Sequence, residues 1–80
     1  MGQIKTFHDS THAKNRRCER DISIESMKAV VNYPEGKRQQ YRGLNGGFVC
    51  KFSKTVDSKT LVVIAEVKKS ECWLISAFFQ

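Results

Sequence analysis

The strongest constraint on the fold is a series of turn signals that divides the chain after Pro34 into four segments of similar length. These signals consist of glycine or of small polar and charged residues, and they are Gly36, Gly43 and residues 45–47, 56–59 and 68–71. Between them, apolar and polar residues alternate with the period of two that is typical of β-strands. The pattern predicts strands at about residues 36–43, 47–55, 60–67 and 72–79.

Short turns between consecutive strands make those strands antiparallel neighbours. The third predicted strand is apolar on both faces except at Glu66, so we expect it near the centre of the sheet. In the second predicted strand, Phe48, Cys50 and Phe52 share one face, and Lys51 lies on the other.

Strict alternation also groups the side chains of the last predicted strand. One face holds Trp73, Ile75, Ala77 and Phe79, and the other holds Leu74, Ser76 and Phe78. This grouping favours a core position for Trp73. The alternative is that Trp73, together with Tyr41, stacks on unpaired bases.

Two helices are predicted before Pro34. Residues 9–20 begin with the capping residues Asp9, Ser10 and Thr11, and no glycine, proline or β-branched residue follows within the segment. Ser23 is the predicted N-cap of a second helix, whose apolar residues recur at helical spacing until Pro34 ends it. The predicted fold class is therefore α+β, with two N-terminal helices packed on a four-stranded antiparallel meander in one domain over residues 1–80.

The size and charge of the chain narrow the function classes. A chain of 80 residues has a thin core, which favours a shallow surface groove over an enclosed substrate cavity. Its net charge of +6 favours a polyanionic partner, either nucleic acid or an acidic protein. No apolar stretch reaches the roughly 18 residues of a membrane span.

The N-terminal segment and the cysteines bear on location and cofactors. The first ten residues lack the apolar region of a secretory signal, and the three cysteines form neither a CxxC pair nor an even set, so we expect a reduced, cytoplasmic protein. The two histidines lack further ligands at metal-binding spacing. We therefore predict no metal and no cofactor.

The first predicted helix carries the residues best suited to catalysis. His12, Arg16 and Arg20 follow one another at intervals of four residues and line up on one helix face. Metal-free RNA cleavage needs an acid or base for proton transfer and cations for the charge that builds up on phosphorus, and histidine and arginine supply both. The alternative is that the three side chains decorate a solvent-exposed helix and pair with nearby carboxylates.

The segment from His12 to Ser23 resembles the H-A-x-x-R-x-x-x-R-x-I-S/T signature of the family called domain of unknown function 4258. The similarity extends over about residues 8–79. Residues 32–34 resemble the Asn/Tyr-Pro end of the family's second helix, and residues 75–78 resemble its last strand more loosely. The family is grouped with small RelE-type and BrnT-type toxins in the superfold that includes barnase-like ribonucleases.

This resemblance implies a fold and an active site. It implies a RelE-like fold in which His12, Arg16 and Arg20 form a helix-borne active site, with Ser76 at the position of the last strand's hydroxyl residue. Ser76 replaces a commoner threonine, and Phe78 replaces a frequent tyrosine.

Four further cations are the predicted nucleic-acid-binding residues: Arg17, Arg38, Arg42 and Lys51. The spacing of Arg38 and Arg42 on one strand places them on the same side, where they would bind phosphates next to the scissile one. Lys51 is expected to converge with Ser76 on one groove. The alternative for the strand cations is that they are solvated charges that prevent edge-to-edge pairing.

Two functions remain open from the sequence. The first is a metal-independent endoribonuclease toxin, with His12 as acid or base and RNA as substrate, neutralised by an acidic antitoxin or immunity protein. The second is a non-catalytic binding module on the same fold, either a nucleic-acid binder or a phage-encoded inhibitor, which binds RNA, DNA or an acidic host protein through its basic face. Either is compatible with a homodimer joined through the last strand at Leu74, Phe78 and Phe79.

Overall fold

The computed structural model describes residues 4–80, which form two helices and five strands. In chain order the elements are β1 (Thr6–Asp9), α1 (Thr11–Glu19), α2 (Ile24–Asn32), β2 (Gly36–Arg42), β3 (Phe48–Val56), β4 (Lys59–Lys68) and β5 (Glu71–Phe79). The predicted α+β class and both predicted helices are confirmed. Strands β2 to β5 match the four predicted strands to within one residue at each end.

Serine caps begin both helices. The Ser10 hydroxyl accepts a hydrogen bond from the Ala13 N–H at 3.2 Å, and the Ser23 hydroxyl accepts one from the Ser26 N–H at 3.1 Å. Helix α2 ends at its C-cap residue, Tyr33, directly before Pro34. Neither helix is long and apolar enough to cross a membrane, and no other helix is present among residues 4–80.

The sheet has five strands in the order β1-β5-β4-β3-β2, so the predicted four-stranded antiparallel meander is incomplete. Strands β2 to β5 pair antiparallel as predicted, but β1 adds to the edge of β5 in parallel, with Phe7 opposite Cys72. A parallel pair of this kind joins segments that are distant in the chain. The sequence next to β1 contains no turn signal that would predict this strand, because its partner strand lies more than sixty residues further along the chain.

Both helices cover the same face of the sheet. Helix α2 packs its apolar side, which includes Met27 and Val30, on β3 and β4, whereas α1 packs on β5 and buries only Ala13. The sheet side of this core includes Phe52 and Val63. The opposite face of the sheet carries no helix, and we call it the open face.

Two β-bulges change which side chains reach the open face. Gln40 has no partner on β3, and Ile75 has no partner on β4. An unpaired residue shifts the alternation of side chains along its strand by one position. In β5, Leu74 and Ala77 therefore both face the helices, whereas Trp73, Ser76 and Phe78 face away from them.

A buried carboxylate holds the turn between β2 and β3 over the open face. Glu66 is 3% exposed and accepts hydrogen bonds from the backbone N–H groups of Asn45 (2.9 Å) and Gly47 (2.8 Å) and from the Asn45 side-chain amide (3.1 Å). Gly43 allows this approach, because a Cβ at that position would overlap the Glu66 side chain. Gly46 supplies the positive φ of the turn, at 82°.

Candidate nucleic-acid interface

Strand register aligns the side chains of the open face in two neighbouring rows. In the first, which we call the basic row, Arg38 pairs with Lys51, Lys51 pairs with Ile64, and Ile64 pairs with Ser76. In the second, the aromatic row, cross-strand partners run through all five strands: Tyr41, Val49, Glu66, Trp73 and His8. Directly paired residues point to the same face of a sheet, so both rows face away from the helices.

The basic row holds three of the predicted site residues. Lys51 and Ser76 share this face and lie two strands apart, which is about 10 Å at the usual strand spacing. Arg38 is exposed, and Lys51 and Ser76 are half-buried. None of the three side chains forms a hydrogen bond or ion pair with any of residues 4–80, so all three are available to a ligand.

The aromatic row offers two flat surfaces. Tyr41 is 59% exposed on β2. At the other end, the rings of His8 and Trp73 stack with their centroids 4.9 Å apart and an interplanar angle of 12°. The His8 Nε2 atom lies 3.2 Å from Glu71 Oε1, which fixes the plane of the imidazole against Trp73.

The core position predicted for Trp73 is wrong. Trp73 lies on the open face, half-buried, and is not part of the hydrophobic core cluster. The bulge at Ile75 explains the difference, because strict alternation linked Trp73 to Ala77, which faces the helices. His8 and Glu71 were not identified from the sequence. The signal that could have found them is the alternation in Thr6-Phe7-His8, with one apolar residue between two polar ones.

The prediction that Arg38 and Arg42 point to the same side is also wrong. The bulge at Gln40 puts Arg38 opposite Lys51 on the open face and Arg42 opposite Phe48 on the helix-bearing face. The Arg42 guanidinium carbon lies 5.1 Å from the centroid of the Phe48 ring, a cation–π contact. These two arginines cannot flank one phosphate through the same face of the sheet.

The predicted catalytic set is divided between the two faces. His12 and Arg16 are exposed one turn apart on α1, and neither side chain has a hydrogen bond or ion pair within the described chain. Arg20 caps the C-terminus of α1, and its guanidinium donates to the Ala77 carbonyl at 2.7 Å. Ser76 points away from α1, so the structure does not bring it to His12.

Arg17 anchors α1 to the first strand. Its Nη2 donates to Asp9 Oδ2 at 2.9 Å and its Nε donates to the same oxygen at 3.3 Å. This hydrogen bonding to Asp9 raises the pKa of Arg17. Arg17 is thus engaged within the fold, and a phosphate would have to compete with Asp9 for its guanidinium.

A groove lies beside the basic row, near the start of β2 and the end of β3. It has a volume of about 380 Å³ and is lined by Gly36, Lys37, Arg38, Lys51, Ser53 and Gln80. None of these six residues is Asp or Glu. Elsewhere in the described chain, no three His, Cys, Asp or Glu side chains are grouped closely enough to hold a metal ion.

The three residues of the proposed dimer surface do not form one surface. Leu74 is 2% exposed and belongs to the core, Phe78 lies on the open face, and Phe79 pairs with Leu61 on the helix-bearing face. The bulge at Ile75 again separates residues that the sequence pattern grouped. A homodimer therefore has no joint apolar patch at these three positions.

Comparisons with family models, curated proteins and solved structures give no match for this chain. Membership of the domain of unknown function 4258 family and a RelE-like fold therefore both remain predictions, which rest on the motif at residues 12–23.

Proposed function

We propose that the protein binds single-stranded RNA across the open face of its sheet. The observation that carries this proposal is the side-by-side placement of the basic row and the aromatic row, with Arg38 and Lys51 free of any carboxylate partner in the described chain. Proteins that bind single strands combine cations for the phosphates with aromatic rings on which bases stack.

The geometry supports a division of roles between the two rows. Arg38 and Lys51 lie on neighbouring strands and would contact phosphates. Tyr41 and the His8–Trp73 stack lie at opposite ends of the aromatic row and would each hold a base. The one carboxylate within that row, Glu66, is buried and accepts hydrogen bonds from three donor groups of the turn between β2 and β3, so its oxygens are not free to pair with Arg38 or Lys51.

Binding of a short fluorescent RNA, followed by polarisation, tests the proposal. We expect Arg38→Ala and Lys51→Ala each to weaken binding by about 1 kcal/mol, roughly fivefold. Lys14→Ala is the matched control, because it removes the same charge from the exposed side of α1, on the opposite face of the sheet. Equal weakening by all three variants, or none by any, would contradict binding at the open face.

A second function, metal-independent cleavage of RNA, is favoured by one observation on α1. His12 and Arg16 are exposed one turn apart without partners among residues 4–80, so an imidazole and a guanidinium can reach one phosphate together. In that reaction the 2′-oxygen of RNA attacks phosphorus, its proton passes to His12, and the bond from phosphorus to the 5′-oxygen breaks as that oxygen takes a proton from solvent. Arg16 would stabilise the charge on phosphorus.

Cleavage of bulk RNA in the presence of EDTA distinguishes this second function from binding alone. The wild type should produce 2′,3′-cyclic phosphate ends, and His12→Ala and Arg16→Ala should lose them, while Lys14→Ala keeps them. RNA retarded but left uncut by the wild type would leave only binding. If the wild type does cut RNA, an acidic antitoxin or immunity protein, the partner expected for a toxin, should compete with RNA for the cations of the protein.

A further inference from the structure

The groove beside the basic row has the size and lining of a small anion site. Its volume of about 380 Å³ falls within the range of roughly 300–1,000 Å³ found for ligand pockets. Arg38 and Lys51 approach it from the open face, and Ser53 adds a hydroxyl beside them that has no hydrogen-bond partner in the described chain.

The charges around the groove match one particular kind of anion. Lys37 lines the groove, but its ammonium group lies 5.6 Å from the Phe52 ring centroid on the helix-bearing face, so its charge is directed elsewhere. Two cations, Arg38 and Lys51, remain. A phosphodiester carries one negative charge, whereas a phosphomonoester carries about 1.5 to 2 at neutral pH. The pair of cations is therefore better neutralised by a phosphomonoester.

Gly36 keeps the groove open at its floor. A Cβ at this position would lie 2.6 Å from the Ser53 hydroxyl oxygen, so any larger residue would force the hydroxyl to turn. Gly36 pairs with Ser53 and has no positive φ that would itself demand glycine. Because glycine has no side chain, space remains beside the Ser53 hydroxyl in the groove.

From this lining we infer that the groove binds a terminal phosphomonoester, with Arg38 and Lys51 as its cations and the Ser53 hydroxyl as a hydrogen-bond donor. The inference rests on the proposed function, since the phosphate would belong to the end of an RNA strand laid on the open face. The same chemistry is offered by a free mononucleotide, and the experiment separates the two sources.

Inorganic phosphate is the first probe, because it tests the groove without RNA. In an amide NMR titration, phosphate should shift the N–H signals of Gly36 and Ser53, and Gly36→Ala, which turns the Ser53 hydroxyl without a change of charge, should weaken the shift at Ser53. Lys14→Ala should leave them intact. Shifts that are spread over the whole surface, or absent at Gly36 and Ser53, would overturn the inference.

Three short RNAs of one sequence then identify the source of the phosphate: one with a 5′-phosphate, one with a 3′-phosphate and one with hydroxyls at both ends. We expect one phosphorylated form to bind about tenfold more tightly than the hydroxyl form, and Gly36→Ala to reduce that difference. Equal binding of all three RNAs would overturn the terminal-phosphate inference while leaving RNA binding itself in place. Groove binding of adenosine monophosphate with no binding of any RNA would contradict the proposed function and assign the groove to a free nucleotide.

Discussion

Cys72 is buried in the core, and this burial, with a smaller effect of the neighbouring Cys50, raises its pKa from 9.0 to about 12. The folded protein therefore resists forming the thiolate, while the unfolded chain forms it near pH 9. The stabilisation from the neutral thiol is fully present below pH 9 and is lost as the pH rises from about 9 to about 12. Within that window the free energy of unfolding should fall by up to about 1.4 kcal/mol per pH unit on this account.

Urea unfolding of the wild type and of Cys72→Ala, measured at several values from pH 7 to pH 11, checks this expectation. Lysines also lose their charge near the top of this range, so the difference between the two proteins is the quantity to follow. That difference should change steadily above pH 9. Parallel pH profiles for the two proteins would refute the role of Cys72.

At the same scale, the sequence identified the individual cations more readily than their surroundings. The prediction for Arg38 rested on its spacing from Arg42 and the prediction for Lys51 on a shared groove with Ser76, whereas the register puts Arg38 and Lys51 together on the open face. Arg17 and Arg20 looked equally available in the sequence, yet they donate hydrogen bonds to Asp9 and to the Ala77 carbonyl. A guanidinium pairs with whatever acceptor the fold brings near, and that acceptor is not visible from local sequence.

At the scale of elements, the turn between β2 and β3 depends on one carboxylate from β4. Glu66 is buried and accepts hydrogen bonds from the backbone N–H groups of Asn45 and Gly47. In Glu66→Gln, either the side-chain NH₂ group faces one of these N–H donors, or both bonds go to a neutral oxygen instead of a charged carboxylate. We expect a loss of about 1–3 kcal/mol in the free energy of unfolding, measured in urea. Glu19→Gln, on the exposed end of α1, is the matched control and should change stability by less than about 0.5 kcal/mol. Similar stabilities for the two variants would argue against Glu66 as the anchor of the turn.

Elements with local signals were predictable, and those that depend on distant partners were not. Serine caps and Pro34 delimited the helices, and turns of glycine or of small polar and charged residues delimited four strands. The bulges at Gln40 and Ile75 each add one residue without a glycine or a charge to mark it, so strict alternation grouped residues before each bulge with residues after it that lie on the opposite face. Strand β1 forms by pairing with the edge of β5, a contact between segments that are far apart in the chain and therefore carry no local signal of it.

At the scale of the whole molecule, the salt dependence of RNA binding would measure how many of the positive charges contact phosphates, out of a net charge of +6. Each phosphate contact to a single strand contributes about −0.7 to the slope of log K against log salt concentration. Binding by Arg38 and Lys51 alone should give a slope near −1.4, whereas diffuse attraction to all six net charges would give roughly −4.

Substitutions then separate charge from stacking on the same molecule. Arg38→Ala should reduce the steepness of the slope by about 0.7, and Lys14→Ala should leave it unchanged. Tyr41→Ala should weaken binding by about 1–3 kcal/mol at every salt concentration with no change of slope, because a stacked base releases no counterions. Tyr41 is exposed, so its removal leaves the core intact. A slope near −4 that every lysine or arginine variant reduces equally would mean that RNA is attracted by net charge alone, without a defined site on the open face.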